Sequence, residues 1–152
     1  MTISKAEHND LEAILELQKL AYYSEAQLVN DFTIPPLLQT IKDTEADFNR
    51  GVMLKAVSPN SPDEIVGSVR GHVEGDTLHV GKLIVHPSHQ NKGIGTKLLL
   101  HLESLYPGKR YELYTSEKSE RNLYFYQKHG YKEFKRIPLN HEYEFVCLEK
   151  FG

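Results

Sequence analysis

A single cysteine, Cys147, denies the chain any intramolecular disulfide, and its place in an apolar run marks it as a buried core thiol. No stretch approaches the ~20 consecutive apolar residues that span a bilayer, and the opening MTISKAEHND lacks the apolar core of a signal peptide. A cytoplasmic protein with no membrane partner is expected. The formal net charge is only −3, so no general basic surface exists to hold nucleic acid. The eight histidines include no H-x-x-x-H pair and one cysteine builds no thiolate site, so no metal is expected. There is no G-x-S-x-G elbow for a nucleophilic serine, no internal repeat and no linker.

What is present fits one domain over residues 1–152, with 39% hydrophobic and 26% charged residues. Thr2 to Ala6 reads as a first strand, with Asn9 or Asp10 capping a helix whose stripe is Leu11, Ile14, Leu15 and Tyr22. The periodicity fades from Tyr23 to Ile34, and Pro35-Pro36 opens a second helix through Leu37, Leu38, Ile41 and Phe48. Val52 to Val57 and Ile65 to Glu74 are strands around a turn at Ser58–Asp63, and Gly75-Asp76 joins the second of them to Leu78–Val85 in a tight hairpin.

A long helix follows, with Ile94, Leu98, Leu99, Leu102 and Leu105 on one face. Tyr111 to Thr115 is then a strand that returns to the same sheet, so Leu78–Val85, the long helix and this strand form a parallel βαβ unit. Ser116 or Ser119 caps a helix ending at His129-Gly130, and strands Tyr131–Ile137 and Tyr143–Glu149 make a terminal hairpin. The expected fold is α+β: a mixed sheet of about seven strands (antiparallel meander, central βαβ, C-terminal hairpin) with helices on both faces.

The informative stretch is LHVGKLIVHPSHQNKGIGTKLLLHL, Leu78 to Leu102. Between its strand and its helix lies Gln90-Asn91-Lys92-Gly93-Ile94-Gly95-Thr96. Two glycines let the backbone approach a ligand, and successive N–H groups entering a helix N-terminus bind anions. Lys92 adds a full positive charge. A P-loop fails on spacing, since Gly95 is followed by Thr96-Lys97 with no glycine five residues earlier, and a dinucleotide fingerprint fails because its third glycine would be Leu98. What remains, Q-x-x-G-x-G after V-H-P, resembles the GNAT superfamily of acyl-CoA N-acyltransferases. Element order extends the resemblance over nearly the whole chain.

The resemblance implies acetyl-CoA as co-substrate and a small-molecule or peptide amine as acceptor, and relatives often pair as homodimers. The loop from Gln90 to Thr96, that is Gln90, Asn91, Lys92, Gly93, Ile94, Gly95 and Thr96, would meet the pyrophosphate. The backbone of Leu83, Ile84 and Val85 would pair with pantetheine as a missing strand does. Gly81 is expected to bulge and open that edge. The segment SERNLYFYQKHGY resembles the family helix ending in Tyr, a basic residue, Gly and an aromatic, which puts Tyr126 at the position of the general acid. Where many members carry asparagine this chain has Ser119. Asn122, four residues before Tyr126, shares its helix face and, with Phe125, is expected beside the cofactor arm.

By the family's spacing from the loop, the general base falls on His79, about 13 Å along the strand from Leu83, so a water relay is expected, with His72 and Glu74 as fallback bases. Tyr22 and Tyr23 are placed to line the acceptor pocket. The implied reaction is direct attack of the amine on the thioester in a ternary complex, since no activated nucleophile is visible. The rival is an acyl-CoA sensor of the same fold without turnover.

Overall fold

Alternating and 3.6-residue apolar patterns produce twelve regular elements in the computed structural model, which describes every residue from Met1 to Gly152. The strands are β1 (Thr2–Lys5), β2 (Val52–Ser58), β3 (Ser61–Glu74), β4 (Thr77–Val85), β5 (Arg110–Ser116), β6 (Lys132–Pro138) and β7 (Glu144–Phe151). The helices are α1 (Leu11–Val29), α2 (Pro35–Leu38), α3 (Ile41–Arg50), α4 (Ile94–Ser104) and α5 (Glu120–Lys128). All seven strands form one mixed sheet, ordered β1-β2-β3-β4-β5-β7-β6, in which only the β4–β5 pairing is parallel.

Adjacent residues of β2 show how the two faces are covered. Leu54 points into the main core, where Leu98, Leu99 and Leu102 of α4 pack against Val69, Leu78 and Val80. Met53 points the other way, into a second cluster with Ala6, Leu11 and Ile14 at the start of α1. Polar contacts complete that second face. Arg70 of β3, only 6% exposed, donates to Gln18 Oε1 (2.7 Å), Asp47 Oδ2 (2.8 Å) and Gln39 Oε1 (3.3 Å), tying α1, α3 and the segment between α2 and α3 to the sheet. Burial lowers the Arg70 pKa, and the Asp47 carboxylate opposes that shift. Cys147 of β7 is a free, buried thiol, as expected.

Three local expectations change. The turn expected over Ser58–Asp63 tightens to Pro59-Asn60, because β3 starts at Ser61; Pro62 to Glu64 bulge out between the Ser58–Ser61 and Val57–Ile65 pairs, where proline's missing N–H costs no ladder bond. The helix expected from Pro35 through Phe48 divides at Gln39. There Thr40 and Asp43 exchange hydrogen bonds, with Asp43 Oδ2 accepting from Thr40 N (2.9 Å) and Thr40 Oγ1 from Asp43 N (3.3 Å), a capping box that starts α3 afresh. The bulge assigned to Gly81 sits one residue later. The β3–β4 register passes from Ser68–Ile84 to Arg70–Gly81, giving β4 the extra residue, and Lys82 has φ +50°.

Gly51, between α3 and β2, is required for a different reason. A Cβ there would lie 2.0 Å from the Gly71 carbonyl oxygen, a clash with backbone that no rotamer relieves. Gly51→Ala is therefore expected to cost about 3 kcal/mol, the upper end of ordinary overpacking, read as a lowered denaturant midpoint at unchanged m-value. Gly81→Ala, whose Cβ would meet nothing within 4 Å, is the matched control, expected to stay within about 0.5 kcal/mol.

Candidate active site

The parallel pairing of β4 with β5 covers only Thr77–Arg110, Leu78–Tyr111 and His79–Glu112. Beyond these pairs the strands diverge. From Val80 to Val85 the β5-facing edge of β4 has no strand partner, while β5 continues to pair with β7 through Ser116. A gap thus opens at the carboxyl ends of two parallel strands, where open α/β sheets generally bind ligands. Leu83, Ile84 and Val85 line its β4 side. Three residues past the last pair, Lys82 takes a left-handed backbone at the β4 bulge, which re-aims this edge.

At the end of this gap the chain passes through a 3-10 turn, Pro87–His89, into the loop before α4. Asn91 (φ +63°) and Gly93 (φ +81°) take left-handed conformations, and Gly93 is the N-cap of α4. None of the backbone N–H groups of Gln90, Asn91, Lys92, Gly93, Ile94, Gly95 or Thr96 donates to a protein acceptor; the first bonded amide is that of Lys97, to the Gly93 carbonyl (3.1 Å). Unbonded amides at a helix N-terminus, beside the positive end of its dipole, form an anion site. Arg121 of α5 donates to the Gln90 side-chain carbonyl and places a second cation at this loop. The spacing of the sequence stretch alone gave no sign of Arg121.

The helix α5 closes the other side of the gap. Phe125 lies over Gly95, with its Cζ 3.5 Å from where a Cβ would stand, and packs on His129 with ring centroids 4.5 Å apart. Tyr126 is 9% exposed, set edge-on to Phe125 and Tyr131. Its hydroxyl makes no hydrogen bond to protein and yet is not enclosed. Burial pushes the phenol well above its ordinary pKa, and the Glu25 carboxylate adds to the shift. Its backbone is pinned: Tyr131 N donates to the Tyr126 carbonyl (3.0 Å), and the buried Tyr131 hydroxyl donates to Glu103 Oε2 (2.7 Å) of α4.

Glu25 of α1 is a site residue that sequence reasoning missed. Its Oε1 accepts from Ser119 Oγ (3.1 Å) and Asn122 Nδ2 (3.0 Å), clamping α1 to the start of α5, while Asn122 Nδ2 also reaches Thr115 Oγ1 (3.3 Å). The amide donors of Asn122 are thus engaged within the protein, which leaves its carbonyl oxygen for any ligand. Ser119 is the N-cap of α5, but its hydroxyl serves Glu25 instead of the helix. Burial raises the Glu25 pKa against the opposing Ser119 and Asn122 bonds. Burial also raises the Tyr22 phenol, with Tyr126, Tyr114 and Glu25 adding to the shift. Tyr23 instead turns outward, 53% exposed, against Phe32.

A cleft on the α1 face of the sheet reaches Tyr114 of β5. Asp47, Arg70, His72, His79, Lys82, Glu112 and Tyr114 are among its walls. Burial, and then the nearby Arg70 cation, lower the Lys82 pKa. His79 stands at the last β4–β5 pair, with Nδ1 3.8 Å from Glu112 Oε2.

The profile of the acetyltransferase (GNAT) domain matches residues 52–133, more than half of the chain and all of the gap, loop and α5. The protein belongs to the GNAT acetyltransferase family. Solved structures agree on the fold. The ribosomal-protein-S18-alanine N-acetyltransferase from Escherichia coli is 17% identical, with a TM-score of 0.79 over 99% of this chain and 92% of its own. A paiA N-acetyltransferase from Thermoplasma acidophilum in complex with coenzyme A is 20% identical, with a TM-score of 0.70 over 100% of both chains. An aminoglycoside 6'-N-acetyltransferase complexed with coenzyme A is 19% identical, with a TM-score of 0.78 over 99% of this chain and 97% of that one. No helix of this GNAT chain is long and apolar enough to cross a membrane.

Proposed function

We propose that this GNAT protein transfers an acetyl group from acetyl-CoA to a primary amine, on a small molecule or a peptide, by direct attack within a ternary complex. The observation that carries the reading is the gap between β4 and β5, bordered by seven partnerless amides on one side and an unbonded phenol on the other. The amides of Gln90 to Thr96 hold the pyrophosphate, with Lys92 and Arg121 adding charge. The free edge of Leu83, Ile84 and Val85 bonds the pantetheine amides as a strand would, and Phe125 covers the arm.

The amine enters through the cleft on the α1 face. His79 accepts its proton through water, because roughly 13 Å of strand separates His79 from Leu83. The neutral amine attacks the thioester carbonyl, the C–S bond breaks, and the Tyr126 hydroxyl delivers a proton to the departing thiolate. A phenol held above its ordinary pKa stays protonated throughout the neutral range and is therefore available as a donor.

Thiol release measured across a panel of primary amines, with both substrates varied, tests this. Turnover with intersecting double-reciprocal lines is expected. Parallel lines would mean a covalent acyl-enzyme and overturn direct attack, and CoA binding without release on any amine would favour the sensor.

A further inference from the structure

At the outer end of the acceptor cleft the β3–β4 hairpin sets His72 directly opposite His79, so both side chains rise from the same face. Their imidazoles stack with centroids 5.0 Å apart and planes 18° from parallel. Glu74, two residues along β3 on that face, meets both: His72 Nε2 lies 3.3 Å from Glu74 Oε1 and His79 Nε2 lies 3.6 Å from Oε2. We infer that His72, Glu74 and His79 form a binding site for a divalent transition-metal ion of the zinc class.

Side-chain rotation brings the donors to the spacing such an ion requires. With metal–ligand bonds of about 2.0–2.1 Å, the edges of a tetrahedron are about 3.3–3.4 Å; His72 Nε2 already stands 3.3 Å from Glu74 Oε1, His79 Nε2 stands 3.6 Å from the other oxygen, and the stacked rings turn so that their nitrogens converge. All three donors lie within 4.8 Å of one another. Two imidazoles and one carboxylate suit zinc, nickel or copper over magnesium or calcium, which prefer oxygen, and three protein ligands leave a position open toward the cleft.

Behind His79, Nδ1 faces Glu112 Oε2 at 3.8 Å, just beyond hydrogen-bond length, and Arg110 Nη1 donates to the other oxygen of Glu112 at 2.7 Å. A carboxylate that closes onto the far nitrogen of a ligating histidine orients the ring and selects the nitrogen that faces the metal. The imidazoles are held on paired strands and partly shielded, whereas the side chain of Glu74 is 71% exposed and free to close onto an ion. Because His79 is shared with the proposed amine base, a bound ion would inhibit transfer in competition with the amine. That consequence rests on the proposed function. Metal binding itself does not.

The test uses the purified full chain without substrates. Zn2+ is titrated by calorimetry, and Co2+ by the visible absorption that marks a tetrahedral site. One ion per chain is expected, with affinity lowered by about 10–100-fold in Glu112→Gln and more severely in His72→Ala and Glu74→Gln. A His86→Ala/His89→Ala double variant, which removes the other close histidine pair, should bind as wild type does. Circular dichroism confirms that each variant is folded. Absence of stoichiometric binding in wild type, binding retained in His72→Ala, or binding lost in the His86/His89 variant would each overturn the assignment. Loss of Zn2+ inhibition in His72→Ala then reads the shared role of His79 separately.

Discussion

Tyr126→Phe is expected to lower kcat by about 10²-fold, the scale of losing a general acid, with little change in affinity for CoA. The structure makes this a clean experiment. The hydroxyl has no hydrogen bond within the protein, so removing it orphans no partner, and phenylalanine fills the same space between Phe125 and Tyr131. Stability should stay within about 0.5 kcal/mol, and a fall in kcat then reports chemistry instead of misfolding. Since burial holds the phenol above its ordinary range, no loss of rate from Tyr126 ionisation should appear below its unperturbed pKa of ~10. An unchanged kcat would remove Tyr126 from the reaction.

The second large effect is at the loop. Gly93→Asp is expected to weaken CoA binding at least ~100-fold, about 2.7 kcal/mol, which is within the ~4 kcal/mol repulsion of two unit charges 4 Å apart at an effective dielectric of 20. Gly93 has φ +81°, so any side chain there is strained. Gly93→Asn carries similar strain without the charge and is the necessary comparison. Binding should follow the order glycine, asparagine, aspartate, with the last step the steepest and reduced at high salt. Equal affinity of the asparagine and aspartate variants would show that no phosphate sits against these amides.

The meander, the βαβ unit and the terminal hairpin were legible because their signals are local: Leu98, Leu99 and Leu102 repeat at helical spacing, and Gly75-Asp76 marks a hairpin within two residues; that β7 lies between β5 and β6 was not. The Gln90–Thr96 loop, with its unbonded amides, was legible for the same reason, since consecutive free N–H groups before a helix are a property of one continuous segment. Gly81 misled because glycine is permissive in sequence, whereas the bulge was decided by the register of β4 against β3, which put the left-handed residue at Lys82. Glu25 carried no signal. It became a site residue only when Ser119 and Asn122, more than 90 residues away, were folded against α1.

Histidine spacing in the sequence argued against a metal, and that argument applies to a helix. Across a hairpin, residues 72 and 79 become direct neighbours although seven positions separate them. The chain by itself determined most of its elements, its family resemblance and the glycine loop before α4, because each depends on backbone and side-chain preferences within a few consecutive residues. Tertiary structure alone decided where β4 leaves β5, which carboxylate clamps α5, how Arg70 anchors the helices, and that two histidines share one glutamate. Those are distances between residues remote in sequence, and strand register and packing set them.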